Sequence, residues 1–138
     1  MTDLIRISRD FMWDEMTQSE TARKHGIVNE PGREERAAIE ELVKRTLQPL
    51  RLAYGRPIRI SSGYRCRELN RLVGGSPKSQ HIKGEAADCV VGDASRLLGV
   101  LLAHQIPFDQ AILYRKRNFL HVSLRSMRNR RKVIIMDN

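Results

Sequence analysis

The stretch from Glu34 to Tyr54 constrains this chain most, because Ala38, Ile39, Leu42, Val43, Leu47, Leu50 and Tyr54 recur at three- and four-residue spacings. Only a helix gathers such positions on one side, and an apolar stripe of that length must be buried against other elements. This is expected to be the main core helix, kinked near its end by Pro49, which lacks a backbone amide, and closed by Gly55 and Pro57. The partners for the stripe come from short apolar runs. Ile58 to Ser61 and Ala86 to Val91 read as strands, and Ala111 to Tyr114 with Phe119 to Leu124 reads as a hairpin around the basic turn Arg115 to Asn118. Val133 to Met136 is available as a last strand. Asp14 to His25, capped by Gly26, together with Arg67 to Val73 and Ala94 to His104, has helical character, while Gly74, Gly75, Ser76 and Pro77 break the chain into a loop. Helices and strands in this order predict an α+β fold with a mostly antiparallel sheet and flanking helices.

At 138 residues the chain is expected to form a single domain over residues 1–138, with a helical lead-in over residues 1–32 and a basic C-terminal end over residues 126–138. A formal charge of +9 gives the surface an attraction for polyanions. Nucleic acid is disfavoured as a partner, since only 5% of residues are aromatic and the basic residues are scattered except at Arg125, Arg128, Arg130, Arg131 and Lys132. Charges at Asp3, Arg6, Arg9 and Asp10 interrupt any apolar leader, and no run approaches the roughly 20 apolar residues of a membrane span, so the chain is expected to be made in the cytoplasm without a signal peptide. Cys66 and Cys89 are too few for a disulfide scaffold and are expected to pack in the core.

Chemistry concentrates in Ser79-Gln80-His81-Ile82-Lys83-Gly84-Glu85-Ala86-Ala87-Asp88, where a loop histidine precedes an aspartate that enters an apolar strand. A buried carboxylate needs a cation or hydrogen bonds to compensate its lost hydration. His121, between Leu120 and Val122, repeats the pattern of a polar residue in an apolar strand. Two histidines and a carboxylate suit zinc and leave a fourth position for water, which is the pattern of catalytic sites. Residue by residue, a hydrogen-bonded core histidine or an Asp88 ion pair with one of the 25 basic residues accounts equally well for each.

Read together, the motifs go further. Ser79-Gln80-His81, Asp88 and Leu120-His121-Val122-Ser123, joined by Ser61-Ser62-Gly63-Tyr64-Arg65, Asn70, Gly74, Gly75 and Phe108-Asp109-Gln110, resemble the zinc D-Ala-D-Ala carboxypeptidases and related phage wall hydrolases of the hedgehog-like fold. The resemblance covers roughly residues 45 to 125, and Ser19-Glu20-Thr21-Ala22-Arg23 is similar to the helical lead-in of one branch. It implies Zn2+ held by His81, Asp88 and His121, and a peptidase that cuts peptidoglycan stem peptides as a carboxypeptidase or an endopeptidase. It also implies that Arg65 binds a substrate carbonyl or terminal carboxylate, a planar pair of oxygens that guanidinium fits. Anionic wall polymers are further partners, and the site of action is the cell wall, in the manner of a phage or prophage lysin. Several relatives carry a carboxylate three residues before the last histidine, where this chain has Asn118. Asp109 is the expected substitute base if the hairpin turn has an odd number of residues, whereas an even number turns Gln110 and Tyr114 to the face of His121. The alternative to hydrolysis is a zinc-containing module that binds wall or a protein partner.

Overall fold

The computed structural model describes residues 5–138. It opens on a small hairpin, β1 (Arg6–Ser8) with β2 (Phe11–Met12), which the sequence reading did not anticipate. Its strands are too short to show alternation, and the hairpin is secured from outside. The Gln48 side chain accepts from Ser8 Oγ and Asp10 N and donates to Asp10 Oδ2. The helix expected over Asp14 to His25 is divided into α1 (Trp13–Thr17) and α2 (Glu20–Lys24). Ser19 is the reason: extended in backbone, it N-caps α2 by accepting from Ala22 N at 3.1 Å, a bond incompatible with its lying inside a continuous helix.

The core helix runs through α3 (Arg33–Leu42), one wide turn at Val43–Leu47 and α4 (Gln48–Tyr54). In the wide turn, Gln48 N donates to the carbonyl of Val43, five residues back. That widening comes immediately before Pro49, whose ring would otherwise crowd the carbonyl four residues earlier, so the helix continues past the proline through a π-bulge. Gly55 ends it at φ 78°, a left-handed position that favours glycine.

The main sheet has the order β3 (Arg59–Ser62), β4 (Ala86–Val90), β6 (Phe119–Ser123), β5 (Gln110–Tyr114), β7 (Lys132–Met136). Every pairing is antiparallel except that of β7, which runs parallel to β5. Period-two alternation sorts its two faces. Ile60, Ala87, Cys89, Leu120, Val122, Ala111 and Leu113 join Ile39, Leu42, Leu47 and Leu50 of the core helix, and Leu97 and Leu101 of α6 (Ala94–Ala103), in one buried cluster. Cys89 is thus a core residue and Cys66 packs against the same cluster, both as free thiols. The opposite face receives the alternate residues, Asp88, His121, Gln110, Ile112 and Tyr114. The short helix α5 (Arg67–Leu72) leads into the loop that brings His81 over this face. No helix among the described residues is long and apolar enough to cross a membrane.

Candidate metal centre and its cleft

The β4–β6–β5 register places Asp88 opposite His121 and His121 opposite Ile112, so both polar residues lie in one row across the sheet. His81 reaches them from the loop. Its side chain is 3% exposed, against 18% for Asp88 and 13% for His121. Asp88 Oδ1 lies 3.0 Å from His121 Nδ1 and 3.3 Å from His81 Nε2, and the two rings meet edge to face at 5.1 Å.

The proton on His81 is assigned by its neighbour. Its Nδ1 is 2.7 Å from the carbonyl oxygen of Gly63, which can only accept, so Nδ1 carries the hydrogen. In the neutral ring Nε2 then directs a lone pair at a carboxylate oxygen, an arrangement that needs a proton or a metal ion between them. Burial works against the Asp88 charge, but hydrogen bonding from His121, and from His81 when a proton sits on its Nε2, outweighs it and holds the carboxyl well below the usual carboxylate range. The candidate ligand atoms of His81, Asp88 and His121 all lie within 4.8 Å of one another. Two borderline nitrogens and one hard oxygen, with the outer nitrogen of one imidazole tied to a carbonyl, fit a divalent transition metal.

Backbone contacts position the loop. A Cβ on Gly63 would collide with the backbone of Met16, and the adjacent Tyr64 N donates to Met16 O at 2.7 Å. Only glycine allows the turn to sit this close to α1 while aiming its carbonyl at His81. Gly63→Ala is therefore expected to lower stability by about 1–3 kcal/mol and to weaken metal binding on the order of 10-fold. Denaturant unfolding read beside a metal titration checks both effects. Gly84, at φ 75°, packs against the carbonyl of Glu35 and fixes the far end of the loop on α3. Ser79 Oγ accepts from His81 N at 3.1 Å, so this serine caps the turn that carries His81. Asn29 ties the lead-in to the same turn, donating to Thr17 O and Tyr64 O and accepting from Cys66 N. Nothing in its local sequence marked Asn29, because its partners are backbone groups far along the chain.

Arg65 N donates to His81 O at 3.1 Å, which sets the arginine beside the trio. Its guanidinium is lowered from its ordinary pKa by burial, partly offset by Asp88, and its Nε is buried without a hydrogen-bond partner. Arg65, His81, Asp88 and His121 line one cleft of about 640 Å³, which also receives the stacked rings of Tyr114 and Phe119, 4.4 Å apart.

The two candidate base positions lie elsewhere. The hairpin turn spans Arg115 to Asn118, an even count, so Gln110 and Tyr114 share the face of His121 and Asp109 does not. Asp109 is fully buried, and its carboxylate accepts from Arg130 N, Nε and Nη2, with Arg125 Nε at 3.4 Å. The structure does not bring it to the trio. Asn118, at φ 57°, accepts from Ala94 N and donates to the carbonyl of Gly92, so it ties the hairpin turn to the start of α6, whose N-cap is Asp93. Asn118→Glu is accordingly expected to lower stability by about 1–2 kcal/mol through loss of these bonds, and to give no rise in any hydrolytic rate. Thermal melting and a rate assay on the same preparation test this.

A helix-backed antiparallel sheet whose open face carries a His-Asp-His cluster in a cationic cleft defines a class of site able to hold a metal ion. The family model for Peptidase M15 matches residues 9–123, and the chain belongs to this family of metallopeptidases. No curated protein matches the chain.

Proposed function

We propose that the protein is a zinc peptidase that hydrolyses peptide bonds in bacterial peptidoglycan, with His81, Asp88 and His121 as the zinc ligands and Arg65 as the residue that binds substrate. The observation that carries this reading is the unpartnered Arg65 Nε, buried beside a trio whose nitrogen lone pair and carboxylate call for a cation. When bound, zinc supplies Lewis-acid polarisation of a carbonyl and acidifies a water molecule. The chain's own residues supply orientation. Gly63 O keeps the His81 ring in one tautomer, and Arg65 offers a planar donor fork to a substrate carbonyl or carboxylate. Asp109 and Asn118 are committed to structural hydrogen bonds, so hydrolysis proceeds without a carboxylate base from the hairpin and is expected to be slow for a zinc peptidase. The same observation favours the second reading, a metal-holding module that binds wall peptide without cutting it.

Incubation of zinc-loaded protein with purified peptidoglycan, followed by mass analysis of what is released, tests the reading. Free D-alanine identifies a carboxypeptidase, and shortened stem peptides identify an endopeptidase. No product from several wall types, together with retained wall binding, establishes the binding module instead.

A further inference from the structure

The family match ends at Ser123, yet the segment after it forms a wall of the cleft. This segment is firmly attached. Arg125 N donates to Asn129 Oδ1 at 2.7 Å and Asn129 Nδ2 returns a bond to Arg125 O, which closes a turn. Arg131 Nη1 donates to Ile106 O, and its guanidinium lies 4.6 Å above the Phe108 ring. Lys132 N donates to Asp109 O, and β7 then pairs along β5.

Within this wall Asp109 holds two arginines. Arg130 grips it in a fork, Nε to Oδ1 at 3.1 Å and Nη2 to Oδ2 at 2.7 Å, and Arg125 approaches Oδ2 at 3.4 Å. One carboxylate cannot neutralise two guanidiniums, and both side chains remain about two-fifths exposed, at 42% and 43%, while lining the cleft. Lys83 lines the same cleft and shares with Arg125 a neighbouring pocket whose far side, on α3, carries Glu34, Glu35 and Glu41. The whole cleft draws on five cationic side chains, Arg65, Lys78, Lys83, Arg125 and Arg130, against the carboxylates of Glu85 and Asp88. Asp88 faces the histidines, and Glu85 Oε1 is occupied by Gln80 Nε2.

We infer that Arg125 and Arg130, positioned by Asp109, form with Lys83 an anion subsite that recognises a carboxylate of the substrate peptide away from the scissile bond. The inference rests on the peptidase reading and adds to it a substrate class: acidic peptides with a free side-chain or backbone carboxylate beyond the group held by Arg65. Guanidinium forks match a carboxylate in shape, and a fork already held by a buried acid loses little freedom on binding.

The test uses two synthetic peptides that differ only in glutamate against glutamine outside the scissile bond, titrated into the metal-loaded protein by calorimetry. Wild type is expected to prefer the glutamate peptide by about 10-fold or more, as charge-assisted hydrogen bonds would give. Arg125→Gln, which leaves Asp109 its three contacts from Arg130, and Lys83→Gln should each bring that ratio towards one. Asp109→Asn should also lower the ratio although both arginines remain. Equal affinities in wild type, or a preference that survives both Arg125→Gln and Lys83→Gln, overturns the subsite. Hydrolysis without preference removes the subsite and leaves the peptidase reading standing, whereas preference without release of product from any wall type keeps the anion subsite and assigns it to the wall-binding module instead.

Discussion

His81→Ala is expected to abolish stoichiometric metal binding, the largest effect of any single change in this protein. The ring is nearly inaccessible, its Nδ1–H is anchored on Gly63 O, and its Nε2 stands 3.3 Å from Asp88 Oδ1. Removing a hydrogen bond that merely supports a metal ligand lowers affinity about 10- to 100-fold, so removing the ligand itself should exceed that range. Elemental analysis after dialysis, with a competitive chelator titration for the residual affinity, reads the effect directly. Equal metal in wild type and variant would remove His81 from the centre. Asp88→Ala should behave alike, with one difference. It leaves two histidines facing each other with no carboxylate between them, whereas His81→Ala leaves the largely buried Asp88 carboxylate paired with His121 alone.

Arg65→Ala is expected to lower kcat/KM by about two to three orders of magnitude, the scale of losing a charged group that orients a substrate for attack. Metal content should stay near that of wild type, since no hydrogen bond or ion pair joins the Arg65 side chain to the candidate ligands and its bond to His81 runs through its backbone amide. Stability should also hold, for a physical reason visible in the structure. The side chain makes no hydrogen bond through its buried Nε, and burial already disfavours its charge, so truncation removes an unsatisfied group rather than a satisfied one. A loss of metal together with activity would make Arg65 a structural residue of the loop. Single-turnover kinetics and metal analysis on one preparation separate the cases.

Periodicity made much of the architecture legible. The stripe from Ala38 to Tyr54 specified the core helix, and alternation in Ala86–Val90 and Phe119–Ser123 told which residues face the core, because side chains in a strand take opposite sides in turn. It also told that Cys89 and Asp88 part company, one to the core and one to the cleft. The π-bulge at Val43–Leu47 could not be read in this way, since it arises from how the helix absorbs Pro49 against a packed face rather than from any residue preference. The hairpin β1–β2 and the break at Ser19 escaped because each depends on a side-chain bond, the first to Gln48 some forty residues away and the second a cap that competes with helical backbone pairing.

The sequence alone determined the residue types of the centre, the α+β fold class and the resemblance that linked His81, Asp88, His121 and Arg65. Tertiary structure decided the rest. The even turn from Arg115 to Asn118 sent Asp109 away from His121, since a register change of one residue exchanges the two faces of a strand. A basic tail that reads as a solvated end became a wall of the cleft, because its arginines compensate the buried Asp109. The tautomer of His81 was set by a carbonyl eighteen residues away, a group that every residue carries and that no sequence pattern distinguishes.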